Sequence, residues 1–223
     1  MGAIAIIENS LLAGRYFKPF VEAAGLECSI FKVWRGEPLA VEGFSALILT
    51  GDFHNVTDGL KAYHESELEL LERGGGRRVF ASCFSHQMIA QSRGGTVERR
   101  SERLLGWERL NIVGKHPAVE GMGAFPALCL NTDEVTAPPP GAAWIAESPG
   151  CRYQVLAYGD EMLTCQAHPE LSLERARIPV NAAALFLSMG RPGSYRSFKA
   201  TRALANDAGS DEFMRRVVAW LAD

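Results

Sequence analysis

Arg77-Arg78-Val79-Phe80-Ala81-Ser82-Cys83-Phe84-Ser85-His86-Gln87-Met88-Ile89-Ala90 reads as a short buried strand, a sharp turn at Cys83 and then a helix. A thiol at that turn sits at a helix N-terminus. Free backbone N–H groups and the positive end of the helix dipole there favour a thiolate. Ala81, Ser82 and Ser85 are small, as a tight strand–nucleophile–helix elbow requires, because bulky side chains would collide. Taken alone, the same pattern also describes a buried cysteine at an ordinary strand end.

Apolar strand runs and helical runs alternate on both sides of this stretch. Ala3 to Ile7 is β-type and ends at Glu8-Asn9-Ser10, where Asn9 or Ser10 is placed to cap a helix reaching about Ala24. Leu11, Leu12, Tyr16, Phe20 and Val21 lie near helical spacing. Cys28 to Val33 and Phe44 to Thr50 read as strands, and Leu60 to Arg73 as an amphipathic helix closed by Gly74-Gly75-Gly76. Continuous apolar strands separated by helices imply an α/β fold, a mostly parallel flavodoxin-like sheet flanked by helices. Reactive groups in such sheets collect at the carboxyl ends of the strands, where Gly51 and Cys83 fall.

After Gly94-Gly95 the texture changes. Short alternating segments at about 96–99, 107–113, 127–130, 143–147, 152–158 and 161–166 predict antiparallel strands appended to the parallel sheet. From Leu173 the pattern is helical, over about 173–189, 195–206 and 211–222, with Ser210 and Asp211 placed to cap the last helix. No repeat or linker interrupts the chain, so a single domain over 1–223 is expected.

Bulk properties narrow the function. The 223 residues are 47% hydrophobic with a net charge of −3, and acidic and basic residues are mixed. No basic patch argues for nucleic acid, and no apolar run reaches bilayer length. The N-terminus lacks a basic region and meets Glu8 too early for a signal peptide. Five scattered cysteines with no CxxC pair suit reduced thiols, so a cytoplasmic protein without disulfides or zinc is expected. No metal or other cofactor is expected, since no Asp/Glu/His cluster has metal spacing. Gly74-Gly75-Gly76 precedes a strand and does not read as a phosphate loop. His54, His64 and His116 are expected at the surface or in turns, and His86 is expected to pack under the elbow.

Cys165-Gln166-Ala167-His168-Pro169-Glu170 follows an apolar strand. In an extended backbone, positions i and i+2 point the same way, and Pro169 pushes His168 toward extended geometry. An imidazole and a carboxylate side by side suit a base and the group that orients it. Glu170 would set the tautomer of His168, and His168 would deprotonate Cys83.

Together the two motifs resemble class I (triad-type) glutamine amidotransferases. In that family the nucleophile lies in a Gly-x-Cys-x-Gly-His/Gln-Gln-type elbow, and a Gln-Phe-His-Pro-Glu-type motif follows about eighty to a hundred residues later. Here Cys83 and His168 are 85 positions apart. Leu47-Ile48-Leu49-Thr50-Gly51 is similar to the strand leading into the family's oxyanion loop. Gly94-Gly95-Thr96-Val97, Gly106-Trp107, the stretch from Asn131-Thr132-Asp133-Glu134-Val135 to Pro140-Gly141-Ala142, and Tyr158-Gly159 resemble further family segments in the same order. The likeness spans roughly residues 44–171.

The resemblance implies attack by Cys83 on a γ-glutamyl amide, with the oxyanion held by the backbone N–H groups of Asp52 and Phe84. It implies substrate contacts at Gly51 and Gln87, and release of ammonia or an amine through His168. The leading expectation is a glutaminase domain that passes ammonia to a separate synthase subunit. The alternatives are a self-sufficient γ-glutamyl peptide hydrolase and a non-catalytic binding relative. The chain departs from the family pattern at Ala81 and Ser85 (elbow glycines), Asp52 (second loop glycine), Ala167 (an aromatic) and Asn131 (usually His).

Overall fold

The structure, a computed structural model, describes residues 2–171, Phe198, Thr201 and 208–223. One nine-stranded sheet organises these residues, in the order β2-β1-β3-β4-β9-β8-β7-β5-β6. β1 (Ile4–Ile7), β2 (Cys28–Phe31), β3 (Ala46–Leu49), β4 (Arg78–Ser82) and β9 (Met162–Cys165) form its parallel half. β8 (Cys151–Tyr158), β7 (Ala143–Ser148), β5 (Thr96–Ile112) and β6 (Phe125–Ala137) continue it antiparallel. The expected α/β architecture is therefore present as a mixed sheet.

Alternation along the parallel strands sorts their side chains onto two faces. Ile4, Ile6, Ile48 and Phe80 point to the face covered by α1 (Gly14–Ala23) and the C-terminal helix α4 (Gly209–Ala222). There Phe17 meets Phe80 edge-on at 6.3 Å, Phe80 meets Phe213 at 6.2 Å, and Phe213 stacks on Phe125 at 4.8 Å. Ala5, Ile7, Leu47, Leu49, Val79 and Ala81 point to the opposite face. It is covered by α2 (Ala62–Glu72) and α3 (Phe84–Ser92), through Leu68, Leu71, Phe84, Met88 and Ile89. Burying a side chain of this size contributes about 1.5–3 kcal/mol.

Several expected boundaries move. Neither Asn9 nor Ser10 caps α1, which begins at Gly14. Leu12 adopts φ +66°, which ends any earlier helical turn, and the Gly14 N–H instead donates to Glu8 Oε2 at 3.0 Å. Leu11 and Leu12 thus leave the helix face and stay exposed. Asn9 is drawn inward because the carboxyl ends of β1 and β3 need a buried amide. Its N–H donates to Thr50 Oγ1 at 3.0 Å, and its Nδ2 donates to Thr50 O at 3.1 Å and Glu67 Oε2 at 3.2 Å.

Segments 96–99 and 107–113 are one strand, β5, with a register irregularity between Arg99 and Leu104, and 127–130 lies within the longer β6. α4 begins at Gly209, and the Ser210 hydroxyl, expected to cap it, donates to Pro126 O instead. The expected helix over 173–189, and that over 195–206 apart from helical Phe198 and Thr201, lie outside the described residues. Among the described residues no helix is long and apolar enough to cross a membrane.

Candidate active site

β4 delivers the chain to Cys83 and α3 leaves from Phe84, so the cysteine is the hinge residue of the elbow. Its φ of +50° with ψ of −107° lies in a region costly for a side chain bearing Cβ. Among the described residues only Leu12 and Cys83 combine a positive φ with a side chain. Two bonds hold the strain: Cys83 N–H donates to Cys165 O at 2.7 Å, and Cys83 O accepts the Gln87 N–H at 3.2 Å. Ser85, where the family has glycine, uses its hydroxyl as a tie. It donates to Thr50 O at 2.8 Å and accepts from Asn9 Nδ2 at 3.2 Å.

The register of β4 on β9 brings the second motif to the elbow. Ser82 pairs with Cys165, so the residues after each strand end face one another. Beyond β9 the His168 N–H donates to Leu128 O at 2.7 Å, which anchors the segment on β6. His168 Nδ1 lies 2.8 Å from Glu170 Oε1, and His168 also hydrogen-bonds Cys83. Burial pushes the imidazole pKa down. The charges of Cys83 and Glu170 and their hydrogen bonds outweigh it, and the pKa stands well above the usual histidine range.

Gly51 closes the group. A Cβ there would lie 3.2 Å from Cys83 Cβ and 3.2 Å from His168 Cε1, so a side chain would fit only if the thiol or the imidazole gave way by a few tenths of an ångström. Asp52 follows it, with its carboxylate turned away from the thiol. Asp52 Oδ2 accepts from Tyr63 Oη at 2.7 Å and lies 3.0 Å from His64 Nε2, while Oδ1 accepts the His54 N–H at 3.1 Å. Burial alone would raise the Asp52 pKa, but hydrogen bonds from His64, Tyr63 and the His54 amide, with Lys61 nearby, hold it below the usual carboxylate range. Phe84 is the first residue of α3, so its N–H has no intrahelical acceptor.

Gln87 is 3% exposed, and its Nε2 is engaged within the protein, donating to Asp133 O at 2.7 Å and Gln166 Oε1 at 2.9 Å. Gln166 in turn places Nε2 3.8 Å from Cys83 Sγ. Sequence reasoning passed over Gln166, although its position two residues before His168 was the available signal. Of the three histidines expected at the surface or in turns, His54 and His116 do lie in turns and loops, and His64, inside α2, needs correction. His64 is fully buried, packed between Tyr63 and Phe84, because Asp52 and the elbow supply its polar and apolar partners. His116 is buried and its Nδ1 accepts the Ala118 N–H at 3.2 Å, and partly buried His54 lines the pocket. His86 packs beneath the elbow with Nδ1 2.8 Å from Thr164 Oγ1, and burial lowers its pKa to about 3.

These groups open into a cavity of about 270 Å³ with Gly51, Cys83, His168 and Glu170 among its lining residues. Leu11, Leu12, Tyr16 and Phe53 give it an apolar side, and Arg103, Asn131, Thr132 and Asp133 a polar one. A thiol, an imidazole oriented by a carboxylate, and backbone amides beside the thiol can together perform acyl transfer.

No protein-family profile matches the chain. It is 27% identical over 179 residues to γ-glutamyl peptidase 2 of Arabidopsis thaliana, covering 72% of this chain and 70% of that protein. It is 28% identical over 151 residues to a glutamine amidotransferase-like protein of Penicillium rubens, covering 66% and 60%. It is 28% identical over 130 residues to a subunit of the glutamine-hydrolysing GMP synthase of Saccharolobus solfataricus, covering 57% and 68%. Among solved structures, a glutamine amidotransferase from Thermotoga maritima superposes with a TM-score of 0.83 at 15% identity, over 100% of this chain and 99% of that one. One from Methylobacillus flagellatus gives 0.78 at 20% identity, over 100% and 94%. At these identities the solved structures establish a shared fold.

Proposed function

We propose, for a chain built on the class I glutamine amidotransferase fold and related in sequence to glutamine amidotransferases and γ-glutamyl peptidases, that it hydrolyses γ-glutamyl amide bonds with Cys83 as nucleophile. The observation that carries this reading is the grouping of Cys83, His168 and Glu170 at the mouth of a cavity. A non-catalytic relative would have no need of a strained cysteine beside an oriented imidazole.

In the proposed reaction the Cys83 thiolate attacks the γ-carbonyl carbon. The carbonyl π-pair moves onto oxygen, where the N–H groups of Asp52 and Phe84 receive it. Losing one such donor typically costs about 3–4 kcal/mol of barrier. The intermediate collapses, the C–N bond breaks, and protonated His168 gives its proton to the leaving nitrogen. That leaves a γ-glutamyl thioester on Cys83 and free ammonia or amine. Water then gives His168 a proton as its oxygen attacks the thioester, and glutamate leaves as the thiolate returns. Substrate, water and these groups supply every atom and proton. Gly51 lets the backbone approach the reacting carbonyl. Gln87 lines the cavity and helps to hold the substrate, while its Nε2 supports the site through Gln166.

The first substrate reading is glutamine, with ammonia passed to a separate synthase, in line with the Saccharolobus solfataricus relative, itself one part of a GMP synthase. A larger γ-glutamyl amide or peptide is the second. It is favoured by the apolar side chains left in water around the pocket, with Leu11 59%, Leu12 46% and Phe53 75% exposed. Both readings take residues 1–223 as one domain in the cytoplasm, in keeping with five free cysteines. Glutamate release from glutamine and from γ-glutamyl dipeptides, with Cys83→Ala as control, tests the proposal. Cys83-dependent release from dipeptides supports the self-sufficient hydrolase. Release from glutamine alone supports the amidotransferase. Failure to release glutamate from any substrate, together with a Cys83 inert to alkylation, overturns both.

A further inference from the structure

His64 has no step in the reaction above, yet it touches both residues whose amides are assigned to the oxyanion. It lies in the first turn of α2 and is fully buried. The Lys61 N–H donates to His64 Nδ1 at 3.2 Å, so Nδ1 is the acceptor nitrogen and Nε2 carries the hydrogen. That hydrogen points to Asp52 Oδ2 at 3.0 Å. The opposite contact is apolar: the His64 ring centroid is 4.2 Å from that of Phe84, tilted by 35°. Tyr63 and His54 complete the enclosure. Tyr63 donates to the same carboxylate oxygen at 2.7 Å, and its ring meets His64 edge-on at 4.2 Å. The His54 N–H occupies Asp52 Oδ1 at 3.1 Å, and its ring stacks on His64 at 5.9 Å.

Asp52 and Phe84 come from different segments, a loop after β3 and the start of α3. Two amides from separate segments converge on one oxygen only if something locks the segments together to within about 0.5 Å. We propose that His64 is that lock, a positioning residue that holds the Asp52 loop by a hydrogen bond and Phe84 by ring packing. The inference rests on the proposed reaction. It explains how an aspartate serves where the family pattern has glycine: the carboxylate is the handle by which α2 grips the loop, and its three donors keep its charge away from the developing oxyanion.

The test compares two reagents on Cys83 in the wild type, His64→Ala and His64→Gln, with the Cys83→Ala rate subtracted. p-Nitrophenyl acetate acylates the thiolate through a tetrahedral oxyanion, forming a C–S bond and expelling p-nitrophenolate. Iodoacetamide alkylates it by displacing iodide at a saturated carbon, with no oxyanion. His64→Ala is expected to slow acylation by about ten- to a hundredfold while alkylation stays within about twofold. His64→Gln, whose amide N–H reaches toward Asp52, is expected to recover part of the loss. Asp52→Asn keeps the backbone amide but weakens the His64 grip, and is expected to lower the acylation-to-alkylation ratio in the same direction. It stands in for His64→Ala if circular dichroism shows that variant to be unfolded. An unchanged ratio in a folded variant overturns the inference and leaves the proposed reaction standing. A wild-type Cys83 inert to both reagents overturns the proposed reaction, and this inference with it.

Discussion

His168 Nδ1 lies 2.8 Å from Glu170 Oε1, two residues further along the same chain. The extended run expected there is not what forms: Pro169 and Glu170 are the central residues of a tight turn, closed by the Leu171 N–H donating to His168 O at 3.2 Å, and the turn brings the carboxylate back onto the imidazole. Glu170 Oε2 is buried and accepts no hydrogen bond from the described residues, among which the carboxylate's strongest tie is to the imidazole. Glu170→Gln is expected to lower hydrolysis in the proposed reaction by about a hundredfold or more, because the amide supports the wrong tautomer and no longer stabilises the imidazolium. Glu170 is one of the charges that raise the His168 pKa. Without it His168 loses its proton at lower pH, and the alkaline limb of the kcat profile moves down. A limb that stayed in place would remove Glu170 from this role.

Gly51 offers a test of packing at the same point. Its added Cβ would press on Cys83 and His168 at 3.2 Å each, and both belong to well-fixed segments. Gly51→Ala is expected to reduce turnover at least about tenfold by parting thiol and imidazole, with thermal stability changed by about 1–3 kcal/mol or less. Wild-type turnover in a folded Gly51→Ala protein would show that the loop yields freely.

Gln166 is buried between Gln87 and the thiol, with Nε2 3.8 Å from Cys83 Sγ. Gln166→Leu removes that donor and leaves Gln87 Nε2 with Asp133 O. The expected loss is about 1–2 kcal/mol of stability, from the broken buried pair. Alkylation of Cys83 by iodoacetamide at neutral pH should slow several-fold, since the attacking sulfur loses the neighbour that helps to fix its position. Denaturant unfolding and alkylation kinetics on one preparation separate the two effects.

Glu67 gives a pH-dependent expectation. It is wholly buried, and burial, only partly offset by the Asn9 hydrogen bond and reinforced by Asp52, pushes its pKa up to about 8. Between the ordinary value of 4.5 and about 8, the folded protein holds a proton that the unfolded chain releases. This group's contribution is therefore complete below pH 4.5 and declines as pH rises to 8, by about 1.4 kcal/mol per pH unit at most. Glu67→Gln keeps an acceptor for Asn9 and cannot ionise. Relative to wild type it should gain stability between pH 5 and 8 in denaturant titrations. A pH-independent difference would show that Glu67 is ionised in both states.

Much of the site was legible because its signals are local. Small residues around Cys83 permit an elbow, and His-Pro-Glu sets an imidazole beside a carboxylate, although through a turn closed by Leu171 and not through the extended run expected. Other features were misread because their burial is decided by distant partners. Asn9 looks like a helix cap until Thr50 and Glu67 arrive beneath it. His64 looks like a surface residue of an amphipathic helix until Asp52 and Phe84 close on it. Asp52 looks like an intrusion beside an oxyanion until its carboxylate is seen turned toward α2. Segments 96–99 and 107–113 look separate because the charged residues between them break the alternation, whereas pairing with β6 carries the strand across.

By itself the sequence determined the alternation of strands and helices, the elbow at Cys83 and the paired His168 and Glu170, because periodicity, turn chemistry and proline act over a few residues. Only the tertiary structure decided that β4 pairs with β9, bringing residues 85 positions apart into one site, and that α2 delivers His64 to the oxyanion loop. Strand order and the satisfaction of buried polar groups depend on which surfaces meet in space, and no window along the chain contains both surfaces at once.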